Sequence, residues 1–231
     1  MGEVQLIQAG PVRLAYRESG AASAAPVVLL HALGETADDW AEVAAALSRS
    51  WHVYAVDLRG HGRSDWPGRY TLPLLRDDVT GFLDALGLGQ VTLIGHFMGG
   101  AVAYLLAMRH PGRVRRLVLE DPAPPWPRPV PPVPSRPDGP LPFDWAVTGL
   151  SAEASDPPPS SRDGLAGITA PTLIVAGGPA SHVNQDRLTQ MAGLIPGARL
   201  ITLPAGHLVH ACQPEAFISA VADFLAEDPD R

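Results

Sequence analysis

The chain has 231 residues, 46% of them hydrophobic, which is enough for one well-buried core, and a single domain is expected. Its formal charge of −7 leaves no basic stripe for a phosphate backbone, so a nucleic-acid partner is set aside, and its apolar runs fall short of the roughly 20 residues that cross a bilayer. The one cysteine, Cys212, excludes an internal disulfide framework and a thiolate metal cluster, and the seventeen basic residues are all arginine, which removes Schiff-base and phosphate-loop lysine chemistry.

Residues 4 to 17 read as a β-hairpin turning at Gly10-Pro11, with Val12, Leu14 and Tyr16 alternating. Val27 to Leu30 is an apolar run suited to a strand buried on both faces. After a loop at 31–38, Trp40, Val43, Ala44 and Leu47 recur at helical spacing. The pattern repeats with a strand from His52 to Asp57, a loop at 58–70 and a helix from about Leu74 to Leu86. A third unit places a strand at Val91–Ile94 and a helix at Met98–Arg109, closed by Pro111-Gly112. The strand Leu117–Glu120 follows. After an interruption come a strand at Thr172–Ala176, a helix at Asp186–Leu194, a strand at Arg199–Leu203 and a helix at Pro214–Leu225.

Strands alternating with helices predict an α/β fold: a mostly parallel central sheet with helices on both faces and a site at the carboxyl ends of the strands. The interruption at about 122–168 fits no βα unit, and its first half is too rich in proline for regular structure. Trp126, Phe143 and Trp145 give it aromatic surface to pack, so it is expected to form a small, largely non-helical cap.

Several short motifs carry chemistry. His31-Ala32-Leu33-Gly34 follows the first central strand, Asp57 to Asp65 follows the next, and Gly95-His96-Phe97-Met98-Gly99-Gly100 joins a buried strand to a helix. Ala205-Gly206-His207-Leu208-Val209-His210 comes after the last strand. In this order and context they resemble the α/β-hydrolase fold superfamily, esterases and epoxide hydrolases included, over nearly the whole chain apart from the cap. The resemblance implies a nucleophile elbow centred on position 97, an oxyanion hole formed by the N–H groups of Leu33 and Met98, and a catalytic histidine at His207. Ala32 stands where the first motif usually has glycine. Asp57 and Asp65 are given a structural part, as are His96 and His210.

The elbow departs from the family at its centre. Phenylalanine has no lone pair with which to attack a carbonyl, so no covalent acyl-enzyme can form at position 97. A TCC or TCT serine codon becomes phenylalanine by one base change. The loop at 177–182, where the family's acid usually stands, also lacks a carboxylate. Some relatives place the acid after the preceding strand, which makes Glu120 the expected partner of His207, with Asp121 the alternative.

Three functions are open to such a chain. It is a hydrolase of a small ester-like substrate whose serine is replaced by Phe97, a His207 general-base enzyme of lyase, cyclase or cofactor-free oxygenase type, or a small-ligand-binding pseudoenzyme. Each takes a small-molecule partner, and none calls for a cofactor, a metal or a membrane. Met1 to Gln5 show no basic segment leading into an apolar stretch, so a cytoplasmic location is expected. Oligomeric state is not legible.

Overall fold

The computed structural model describes residues 1–130, 132 and 135–227. Pro131, Val133 and Pro134, within the proline-rich stretch, lie outside the described residues. The chain opens with the hairpin β1 (Gln5–Ala9) and β2 (Val12–Ser19), turned at Gly10, whose φ of 63° suits glycine. Then come β3 (Pro26–Leu30), a 3₁₀ turn at Ala37–Trp40, α1 (Ala41–Leu47), β4 (His52–Val56) and α2 (Leu72–Ala85). Thr71 caps α2 by accepting the Leu74 N–H, and Pro73 sits in the first turn, where a missing N–H costs nothing, so the helix starts two residues earlier than expected.

Next are β5 (Val91–His96), α3 (Met98–Arg109) and β6 (Val114–Glu120). β5 runs on through Gly95 and His96 because both pair with β6, opposite Leu119 and Glu120. Among its described residues the interruption holds short helical pieces, including α4 (Leu150–Glu153) and α5 (Pro159–Asp163). The series closes with β7 (Thr172–Ala176), α6 (Gln185–Leu194), β8 (Arg199–Thr202), α7 (Val209–Cys212) and α8 (Pro214–Ala226).

The eight strands form one sheet in the order β1-β2-β4-β3-β5-β6-β7-β8. The hairpin is antiparallel to its neighbours and the rest of the sheet is parallel. Successive side chains on a strand point to opposite faces. Val28, Leu30, Leu93 and Leu119 therefore pack with α2 and α3, while Val27, Leu29, Ile94 and Val118 pack with α1 and α8. This double burial is why the central strands read as continuous apolar runs.

The stretch between β6 and β7 packs on the α3 side through Trp126, Val147, Leu150, Leu165 and Ile168, all buried. It is also tied to the loop after β4. The Asp144 N–H donates to Gly60 O at 2.8 Å, the Tyr70 hydroxyl donates to the Asp144 carboxylate at 2.6 Å, and the Leu72 N–H donates to Glu153 at 3.1 Å. Among the described residues no helix is long and apolar enough to cross a membrane.

Candidate active site

β5 ends in a sharp turn into α3, and only a backbone stripped of side chains can make it. A Cβ on Gly95 would lie 2.4 Å from Gly99 O, and one on Gly99 would lie 2.2 Å from Leu30 O. Phe97, at the apex, is held at φ 44°, in the left-handed region that non-glycine residues rarely adopt. Its N–H donates to Glu120 O at 3.0 Å and its carbonyl accepts the Ala101 N–H at 2.9 Å, so both neighbouring elements fix the strained residue.

The oxyanion candidates come together beside it. Met98 is the first residue of α3, where an N–H has no partner within the helix, and Leu33 lies in the loop after β3. Both line, with Phe97, Ala123 and Arg128, a cavity of about 20 Å³. That space takes about one water molecule.

The loop carrying Leu33 is braced by two neutral histidines. His31 Nδ1–H donates to Ala32 O at 2.7 Å while Nε2 accepts the Leu58 N–H at 2.9 Å. His61 Nδ1–H donates to Arg59 O at 3.0 Å while Nε2 accepts the Gly34 N–H at 3.2 Å. Burial lowers His31 to about 4 and His61 to about 3, which matches rings that must both donate and accept. The left-handed residue of this loop is Gly34, at φ 87°, so Ala32 in place of the usual glycine meets no backbone strain.

Asp121, not Glu120, faces His207. Asp121 Oδ2 accepts from His207 Nδ1 at 2.7 Å. Its carboxylate also accepts the Gly177 N–H at 3.1 Å, Gln185 Nε2 at 3.3 Å and the Ser181 hydroxyl. Burial opposes its ionisation, but these donors outweigh burial and hold the carboxyl below the usual range. The loop after β7, which has no acid of its own, thus receives one from the end of β6 and supplies the donors around it. With Nδ1–H given to Asp121, a neutral His207 ring would keep its lone pair on Nε2. That ring meets the Phe97 ring edge-on, with centroids 4.8 Å apart at 85°.

Glu120 is thereby corrected as the expected partner of His207. It is the last residue of β6, and both of its oxygens contact His210 Nδ1 at 2.9 and 2.8 Å while Oε1 accepts the His210 N–H at 2.8 Å. His210 also stacks on Trp40, with centroids 4.4 Å apart. Glu120 anchors the start of α7.

Beneath this pair lies a third, which the sequence reading missed. His96 Nδ1 donates to Glu35 Oε2 at 3.2 Å and Nε2 donates to His207 O at 3.1 Å. Both acceptors are oxygens, so the ring carries both protons. Burial pulls its pKa down, but Glu120 and Glu35 raise it beyond the ordinary range. Glu35 in turn is resisted by burial yet held low by His96 and the Ala32 N–H. An acid directly after the Leu33 loop was the one signal available for Glu35.

His96, Glu120 and His210 bring donor atoms within 4.8 Å of one another. Those atoms already satisfy each other or Glu35 and the His207 carbonyl, so a cation there would have to break a closed network. Asp57 and Asp65 are taken up in turns: Asp57 accepts from Ala37 N at 2.7 Å and Arg63 N at 2.9 Å, and Asp65 accepts from Arg13 N at 2.8 Å. His182, also missed, packs against both centres of the site, 4.1 Å from the His207 ring and 5.3 Å from that of Phe97.

Comparison with known proteins bears on the fold. Residues 25–145 match the family model described as the alpha/beta hydrolase fold. A hydrolase from Pseudomonas aeruginosa PA01 superposes with a TM-score of 0.86 at 31% identity, covering 98% of this chain and 99% of that one. The enol-lactonase from Burkholderia xenovorans LB400 superposes with a TM-score of 0.86 at 27% identity, covering 96% of this chain and all (100%) of that one. A putative carbamate hydrolase, RutD, from Caulobacter vibrioides is 40% identical over 107 residues, which are 46% of this chain and 39% of that protein. The chain thus spans well under half the length of that curated relative. On the elbow, the sheet order and these likenesses together, the chain belongs to the α/β-hydrolase fold family.

Proposed function

We propose that the chain is built as a hydrolase of small ester-like substrates in which Phe97 stands at the place of the nucleophilic serine, so that it lacks covalent turnover as it stands. The observation that carries this reading is the Asp121–His207 pair at 2.7 Å, set edge-on against a strained elbow whose only missing part is an attacking atom. The names of the relatives, among them a hydrolase, an enol-lactonase and a carbamate hydrolase, support acyl transfer to water as the class of chemistry.

A serine at 97 would attack the carbonyl through Oγ while His207 Nε2 takes its proton. Asp121 would stabilise the imidazolium, and the Leu33 and Met98 N–H groups would receive the developing oxyanion. Phenylalanine performs none of the first step. The test is Phe97→Ser followed by a serine-directed fluorophosphonate probe. Labelling at position 97 is expected, and a folded variant that stays unlabelled contradicts the reading.

The complete set of donors around Asp121 favours one second reading. A fully oriented His207 can act as a general base on water or on an acidic substrate without a covalent intermediate, contributing about 10²–10⁴-fold. In that case His207→Ala would abolish turnover in the chain carrying Phe97.

A further inference from the structure

Beside His207, on the side of His182, lies a cavity of about 350 Å³ whose walls include Trp126, Arg128, His182, Asn184 and Arg187. Its charge is one-sided. Arg128 and Arg187 each carry a fixed positive charge, and among the described residues neither has a carboxylate within ion-pair distance. Arg128 donates only through Nε to Ser155 Oγ at 3.3 Å and through its backbone N–H to Ser155 O at 2.9 Å. Arg187 uses its Nη1 on Gln190 at 2.7 Å.

Several other arginines are paired with acids. Arg59 is bonded twice to Asp78, and Arg13 and Arg113 pair with Asp65 and Asp84. Arg128, by contrast, is half-buried and among the described residues has no carboxylate partner, which leaves its guanidinium open to an anion entering the cavity. Burial pulls the Arg128 pKa down.

The surroundings describe the rest of the ligand. The Arg128 guanidinium lies 5.9 Å from the Phe97 ring centroid, and that of Arg187 lies 5.5 Å from the Trp126 ring. Flat aromatic and proline walls suit an apolar body, and a planar guanidinium fork suits a carboxylate. Burial and the neighbouring His207 hold His182 below the ordinary histidine range, so it offers a neutral ring rather than a third charge.

We propose that this cavity is a binding site for small organic carboxylates, with Arg128 and Arg187 holding the anion and Trp126 and His182 flanking an apolar body directed toward His207. As a statement about substrate class it rests on the reading of the elbow and His207 as the reacting centre. As a statement about binding it does not.

The test uses the full chain with benzoate as probe, titrated by calorimetry and by histidine NMR. Saturable binding that shifts the His182 resonances is expected, weakened at least tenfold by Arg128→Gln and by Arg187→Gln, less so by Arg128→Lys, and weakened by added salt. Absence of binding overturns the proposal, as does binding insensitive to Arg187→Gln, which holds even if Arg128→Gln fails to fold. Tighter binding of inorganic phosphate than of benzoate overturns the choice of carboxylate. In the Phe97→Ser background, 4-acetoxybenzoate is expected to outrun phenyl acetate in kcat/KM, and Arg128→Gln to erase the difference. Hydrolysis without that preference sinks the carboxylate site and spares the hydrolase reading. Arginine-dependent benzoate binding in an inert Phe97→Ser protein does the reverse.

Discussion

Asp121 and His207, 86 positions apart in the chain, meet at 2.7 Å through Oδ2 and Nδ1 while Glu120, one residue earlier, bonds to His210 instead. Two adjacent carboxylates thus serve two different histidines at one strand end. With activity restored by Phe97→Ser, Asp121→Asn should cut kcat by about 10³–10⁴-fold through loss of the correct tautomer. Glu120→Gln should instead act on stability, lowering it by about 1–3 kcal/mol as the start of α7 loses its anchor. Steady-state kinetics together with urea denaturation of both variants separate the two roles.

The elbow glycines make a prediction about packing alone. A Cβ on Gly99 would sit 2.2 Å from the Leu30 carbonyl oxygen, a backbone atom of a central strand that has nowhere to go. Gly99→Ala is expected to destabilise the fold by about 3 kcal/mol, at the upper end for overpacking. A urea midpoint close to that of the parent would show that the elbow is looser than described.

Acid should loosen the loop that carries Leu33. His31 and His61 titrate in the unfolded chain near the ordinary value of about 6.5, but at about 4 and about 3 in the fold. Between those values the unfolded chain binds protons that the native one refuses, so stability is intact above pH 6.5 and falls as pH drops, by up to about 1.4 kcal/mol per pH unit for each ring. His61→Asn should remove about half of that slope, as read from urea midpoints across pH 4 to 6.5.

The alkaline side has the opposite sign. His96 is raised to about 9 by Glu120 and Glu35, against the pull of burial, so its contribution is complete below about 6.5 and is lost as pH climbs toward 9. His96→Gln is expected to flatten the stability profile between pH 6.5 and 9, and an unchanged slope would place the titrating group elsewhere.

Much of this was legible in the sequence for physical reasons. The central strands announce themselves because both their faces are buried, and the elbow because its glycines are demanded by backbone contacts that no other residue survives. The partner of His207 was harder. Glu120 and Asp121 differ by one position, and the turn that ends β6 between them decides which histidine each meets. Asp121 also takes φ 38°, a turn that no propensity foretells. Glu35 and His182 escaped because each acquires its place only when a distant loop folds against it. The two short helices between β6 and β7, four and five residues long, lacked the length for a periodic signal.

If the site lacks nothing but an attacking atom, purified Phe97→Ser compared with the parent chain on p-nitrophenyl acetate will show it. Turnover well above the parent, abolished by adding His207→Ala, is what the geometry predicts. A folded Phe97→Ser protein with no more activity than the parent would contradict it.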